Sequence, residues 1–304
     1  MTRPREWPEW LQWWFGPVNP IRLETFRMLF SVSLLVFMLA WWQHAEEWLT
    51  PTGFHPSREA LRSFTLVFPP LPRPLLPWFG VVLFGSITAL VVGEKTRLMR
   101  WLVFLCITYV TCVDPLSSFT LNRLYIASFA LLALSAEGAY WNVDGTRPRP
   151  RSAWALRMLQ ATFITQVFTA GICKITWGQW LDDPYILWSQ AQGHYKTPLA
   201  AWMYQHVPVG MWAWMQYSAL SFELLCPLLF VVRALRPIGF LWGFAFFMLI
   251  ALTMHELIYF SFQLLSFFVL FVDDEILHGI RRRVRRRVRR LMIPLRRWGT
   301  EAGR

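Results

Sequence analysis

The sequence predicts an all-α fold, a polytopic bundle of about eight transmembrane helices, and three observations carry that prediction. Hydrophobic residues make up 55% of the 304 positions and charged residues only 16%, too little charge to coat a soluble domain of this length. The charges also gather between long apolar stretches, and a helix needs about 20 apolar residues to cross a bilayer. Tryptophan is abundant, at 19 residues, as expected where indole rings form belts at membrane–water interfaces.

Each span follows from an apolar run and the polar break that ends it. The first is expected over Glu24–Trp42, after a Trp-rich segment (residues 1–23) whose Trp7, Trp10, Trp13 and Trp14 suit an interfacial foot. No small-residue cleavage site precedes the run, so a cleaved signal peptide is not expected. A long polar loop with Glu46, Glu47, Glu59 and Pro69-Pro70 separates it from the second span, Leu75–Val92. The basic turn 94–100 leads into the third, Trp101–Val113, and the stretch 114–118 breaks it before the fourth, Asn122–Ala139. The fifth runs Ala153–Ile175. Residues 176–210 are aromatic and amphipathic rather than spanning. The sixth span is expected over Met211–Val232, the seventh over Pro237–Met254, and the eighth over Ile258–Val272, the last two forming a hairpin around His255-Glu256.

Charge then orients the bundle. The net charge is +12, but the segment from Arg281 onward holds eleven arginines against one acid, so residues 1–280 carry only +2. With eight spans, the basic loops 94–100, 140–152 and 233–236 fall on the same side as the tail. The positive-inside rule makes that side cytoplasmic, with both termini, in a plasma or bacterial inner membrane. Loops 44–74, 114–121, 176–210 and 255–257 then lie outside. The chain thus divides into the foot, a membrane domain over 24–273, and a basic tail over 274–304. In the tail Ile280, Val284, Val288, Leu291 and Leu295 recur at helical spacing. A helix of that kind is expected to lie on an anionic leaflet through Arg281–Arg297. A nucleic-acid partner, the other use of arginine runs, is not expected beside a last span. The four cysteines fall in apolar runs with neither CxxC nor metal-ligand spacing, so no metal site is expected.

Few polar groups lie inside the spans. Lys174, one of three lysines, sits at the end of the fifth in Ala170-Gly171-Ile172-Cys173-Lys174. It is either a snorkelling residue or a paired, functional one. Glu223 lies within the sixth span and must be protonated, paired or hydrated. Gln166 and Glu137 are candidates for interhelical hydrogen bonds, and Gln263 is a further polar group in the eighth span. His255 ends the seventh span at the face shared by Lys174 and Trp180. A lysine, an acid and a histidine on three helices are expected to converge on one outward-facing pocket. Burial favours the neutral, basic form of such a lysine, while a nearby acid opposes it.

These residues carry a family resemblance. Asn19-Pro20-Ile21-Arg22-Leu23-Glu24-Thr25-Phe26-Arg27, followed by Trp48-Leu49-Thr50-Pro51-Thr52-Gly53-Phe54, resembles the opening of the horizontally transferred transmembrane (HTTM) family, which includes the membrane domain of vitamin K-dependent gamma-carboxylase. Ala170-Gly171 with Lys174 and Trp180 is similar to the carboxylase's Ala-Gly-x-x-Lys and downstream tryptophan, with one extra residue between lysine and tryptophan. Glu223-Leu224 with Pro227 resembles the sixth-helix signature, and His255 with Phe260-Ser261 and Gln263 the histidine-to-phenylalanine segment. The resemblance implies catalytic roles for Lys174 (as base), Glu223 and His255. It implies cofactor contacts for Trp180, Asn122, Arg123 and Gln263, the cofactor being a lipophilic, reduced quinone-like molecule. Two departures bear on activity. Asn122-Arg123 stands where the carboxylase has Asn-His, and only residues 274–304 follow the eighth span where the carboxylase has a large extracytoplasmic domain. Carboxylation of protein glutamate is therefore not expected, although a smaller substrate suits a bare bundle. The family also implies an alternative, a non-enzymatic membrane subunit aiding maturation or export of a secreted peptide. A transporter ranks last, because no internal repeat or pair of broken helices is visible.

Overall fold

Helices form along the long apolar runs, and several of them carry glycine or proline inside, such as Gly171 and Pro227. The structure, a computed structural model, describes residues 8–53, 55, 66–113, 120–135, 150–193, 196–284 and 286. The expected break at 114–118, Glu137, the end of the fourth span and most of the arginine tail lie outside these. A short helix α1 (Glu9–Phe15) exposes Trp10, Trp13 and Phe15. Strand β1 (Pro17–Val18) pairs antiparallel with β2 (Arg151–Ser152), Pro17 opposite Ser152, and ties the N-terminal segment to the entry of the fifth span.

The first span, α2 (Ile21–Trp42), starts three residues earlier than expected because Asn19 Oδ1 accepts the Ile21 N–H at 3.1 Å and caps it. After α3 (Ala45–Leu49) come α4 (Leu76–Val92), α5 (Thr96–Val113) and α6 (Thr120–Leu134). Gly93, at φ 89°, ends α4 by adopting the left-handed conformation that lets its N–H and that of Glu94 reach the Ala89 carbonyl. The basic turn is thereby shortened, and α5 begins at Thr96 rather than Trp101. The second half holds α7 (Trp154–Thr176), short α8 (Ile186–Gln192) and α9 (Pro198–His206), then α10 (Val209–Val231), α11 (Arg236–Thr253) and α12 (Leu257–Phe267). A 3-10 turn extends α12 to Phe271, and α13 (Asp274–Val284) then turns off at 111°.

Among the described residues, six helices are long and apolar enough to cross a membrane, or seven if the bent α12–α13 pair is one span; α6 is apolar but shorter. The chain is a multi-pass helical membrane protein on this ground. α2 packs between α4 and α12, α5 between α4 and α6, and α7 and α11 flank α10, so the halves meet along α2–α12 and α6–α7. The seam is aromatic: Phe26, Phe30, Tyr125, Phe129, Phe163, Phe230 and Phe267 are fully buried, with Phe26–Phe267 and Phe30–Tyr125 centroids 4.8 and 4.9 Å apart. Edge and offset ring contacts of this kind add to packing beyond area alone.

One end of the bundle collects the basic elements. Arg22 pairs with Asp274 at 2.6 Å and Arg233 with Asp273 at 3.1 Å, so the starts of α2, α11 and α13 meet there. Near the same end Glu24, fully buried, accepts from Arg27 Nε at 3.0 Å and Arg100 Nη2 at 2.9 Å. Arg27 reaches on to the Leu90 carbonyl, and Arg100 to the Leu132 carbonyl and Ser135 Oγ. One carboxylate and two guanidinium groups thus staple α2, α4, α5 and α6. Arg100 belongs to a stretch that reads as a solvated loop, but the early start of α5 carries it into the core.

Candidate functional site

At the opposite end the site is built on the α7–α10 contact. Gly171 lets the two helices close: a Cβ there would lie 3.0 Å from Glu223 Cβ and 3.2 Å from Leu224 Cδ2. One turn on, Lys174 Nζ donates to Glu223 Oε1 in a tight ion pair, the lysine side chain 26% exposed and the glutamate 6%. The second oxygen, Oε2, is buried and unbonded. Pro227 adds to this, since it has no N–H to give the carbonyl four residues earlier, which is that of Glu223.

Trp180 is brought back over the lysine by the turn that ends α7. The Gly178 and Trp180 N–H groups both bond the Lys174 carbonyl, and Gln179 takes φ 55° to make the reversal. Lys174 Nζ then sits 4.6 Å from the centre of the Trp180 ring, a cation–π contact. Gln216, fully buried on α10, holds this loop through three hydrogen bonds. Its Nε2 donates to the Trp180 and Asp183 carbonyls at 2.9 and 2.7 Å, and its Oε1 accepts from Leu187 N at 2.9 Å. Sequence reasoning missed Gln216. The available signal was its spacing, seven residues before Glu223, which puts both on one helix face.

The ion pair forms the polar wall of a cavity of about 240 Å³, otherwise lined mainly by apolar groups including Met203, Trp212, Phe246, Ile250 and Leu264. α8 and α9 close it with Leu187, Gln190, Ala191 and Met203. Gln166 lines it too, eight residues before Lys174 on α7, rather than bonding a neighbouring helix as expected.

His255 does not join this group. It is exposed, and it is not among the residues that line the cavity. The reason lies in the backbone: Met254 is extended at φ −127°, ψ 109° and bridges Lys196, while its side chain lines the cavity. Successive side chains of an extended segment point opposite ways, so Met254 inward sends His255 outward.

Asn122, Arg123 and Gln263 also lie apart from the cavity. Gln263 is buried on α12 and donates Nε2 to the Leu121 carbonyl at 2.9 Å, fastening α12 to the start of α6. Asn122 is buried and Arg123 exposed. The oxygens Asn122 Oδ1 and Gln263 Oε1 are buried without hydrogen-bond partners. Leu121, whose carbonyl Gln263 holds, lines a second cavity of about 220 Å³ with Thr120, Glu256 and Tyr259, and that cavity shares Leu257 and Phe260 with the first.

No curated protein and no solved structure matches the chain. The HTTM domain model matches residues 15–275, from the end of α1 to just past α12, and so takes in both cavities and the Lys174–Glu223 pair. On that match, with its bundle of apolar helices, the chain belongs to the HTTM domain family.

Proposed function

We propose that this HTTM protein binds a lipophilic small molecule with a ring-sized, hydroxyl-bearing head in the α7–α10 cavity, and moves a proton at that head through Glu223. One observation carries the reading: a largely apolar chamber has in its wall a carboxylate with one oxygen held by a lysine and the other buried and unbonded. A buried acceptor without a donor is costly, and a ligand hydroxyl would supply the donor. The cavity, at about 240 Å³, falls below the roughly 300–1,000 Å³ of sites for drug-sized ligands. It would take a single ring head, with any chain left outside.

A reduced quinone fits these residues, and when bound it would supply an acidic ring hydroxyl and a redox couple. The chain's own groups divide the remaining work. Lys174 donates to Oε1 and orients the carboxylate. Oε2 is the atom that accepts the proton, because an ammonium engaged with a carboxylate is not a base until it gives up its own proton. This differs from the role that the family resemblance implies for the lysine. Trp180 shields the pair from water, and the Gln166 amide offers a further hydrogen bond. His255 has no part at the cavity in this scheme.

The membrane setting is part of the proposal. Counting α6 and α12 as spans gives eight, with both termini on the basic, cytoplasmic side of a plasma or bacterial inner membrane and the cavity facing outward. The sharp turn into α13 supports a tail laid along an anionic leaflet.

The test is to purify the full-length protein in mild detergent and identify co-purifying lipophiles by mass spectrometry. A ring-headed molecule enriched over the bulk membrane extract is expected in wild type, falling about tenfold or more in Glu223→Gln, as loss of one charged hydrogen bond implies. Lys174→Met leaves a buried carboxylate unpaired, so the neutral double variant Lys174→Met with Glu223→Leu is the folding control. It should fold and bind nothing. The absence of any enriched ring-headed molecule in wild type, or equal retention by Glu223→Gln, would refute the reading.

A further inference from the structure

The basic end of the bundle contains a concentration of positive charge that the α7–α10 site does not use. Arg157 on the first turns of α7, Arg236 at the start of α11 and Arg22 at the start of α2 lie within electrostatic reach of one another, and Arg233 adjoins Arg236. Two acids answer them: Asp274 pairs with Arg22 and Asp273 with Arg233. Among these described residues four arginines face two aspartates, a surplus of two positive charges. Among the described residues neither Arg157 nor Arg236 has a carboxylate within ion-pair distance. Their bonds go to neutral acceptors, Arg157 to Gln160 Oε1 at 3.0 Å and Arg236 to the Phe230 and Phe271 carbonyls at 3.0 and 3.3 Å. Arg157 Nε is buried and unbonded.

Bringing like charges together from three separate helices is unfavourable unless something compensates. The neighbouring element indicates what that is. Trp13 of α1 places its ring 4.4 Å from the Arg157 guanidinium carbon, while Trp10 and Phe15 of the same helix are exposed. Indole rings and arginines at one level mark the depth where acyl chains give way to headgroups. The planar guanidinium fork matches phosphate oxygens, and basic pockets between spans take anionic headgroups.

We propose that Arg157, Arg236 and Arg22 form a binding site for the phosphate headgroup of an anionic phospholipid, with the acyl chains running past the rings of α1. The site is separate from the arginine tail, and the lipid seated there fastens α1, α7 and α11 together.

Native mass spectrometry of the full-length protein in a neutral detergent tests this, with phosphatidylglycerol, phosphatidylcholine and inorganic phosphate as probes. Wild type should retain phosphatidylglycerol about twenty-fivefold over phosphatidylcholine, from a surplus of two charges at about fivefold each, and millimolar phosphate should not displace it. Arg157→Gln with Arg236→Gln should lower that retention by about the same factor, and by clearly more than Arg282→Gln with Arg283→Gln in α13 does. Equal retention of the two lipids by wild type would overturn the proposal whether or not the variants fold. Undiminished binding by the Arg157/Arg236 variant would do the same, and loss confined to the α13 variant would move the site to the tail. Displacement by inorganic phosphate would mean an anion site that does not select lipid, and the lipid assignment would fall.

Discussion

Replacing Glu24 by glutamine should be among the most damaging single changes in the chain, though it removes only one charge. The carboxylate accepts from Arg27 Nε at 3.0 Å and Arg100 Nη2 at 2.9 Å, and the three side chains are 0%, 0% and 1% exposed. Glutamine keeps the shape but removes the carboxylate that two buried guanidinium groups share. Breaking one buried pair in this way costs about 3–5 kcal/mol, a large share of the roughly 5–15 kcal/mol that holds a typical domain folded. Arg100→Gln should cost less, about 1–3 kcal/mol, because Arg27 still holds Glu24. Since the two partners share one bond, the double variant should not show the sum of the single losses. The assay is a double-mutant cycle by denaturant titration in mixed micelles, with helical circular dichroism as the readout. A coupling of at least about 1.5 kcal/mol is expected. Losses that add within about 0.5 kcal/mol, or a Glu24→Gln protein as stable as wild type, would show that the three groups do not act as a buried network.

Gly171→Ala should destabilise by about 1–3 kcal/mol, since the new Cβ would press on Glu223 Cβ at 3.0 Å and Leu224 at 3.2 Å; a thermal midpoint equal to wild type would show that α7 and α10 are not in close contact there. Gln216→Leu removes three hydrogen bonds, about 1 kcal/mol each, and should raise hydrogen exchange across residues 180–187; unchanged protection would refute its role in holding Trp180. Gln179→Gly should stabilise slightly, by about 0.5–1 kcal/mol, because φ 55° burdens a residue with a side chain more than it does glycine. A lower unfolding midpoint in that variant would contradict the turn described for the end of α7.

The helical membrane fold was legible because each span depends on a local property, a run of apolar residues bounded by charge, and that survives without knowledge of the neighbours. The same locality explains the errors of a few residues at helix ends. Asn19 and Gly93 set the starts of α2 and α5 through caps rather than through hydropathy. Lys174 and Glu223 were visible for the same reason, being ionisable groups in apolar runs. Pairing them needed the α7–α10 approach at Gly171, which periodicity does not specify.

What the sequence determined alone was the number and placing of apolar stretches and the few charges that interrupt them, because transfer from water to lipid is decided residue by residue. What tertiary structure decided was which charges share a partner. Arg100 and Glu24, some seventy-six positions apart, became one buried cluster. His255, one residue from the cavity wall, turned away because an extended backbone alternates its side chains. Interactions between charges depend on distance and burial, and only the folded chain fixes those.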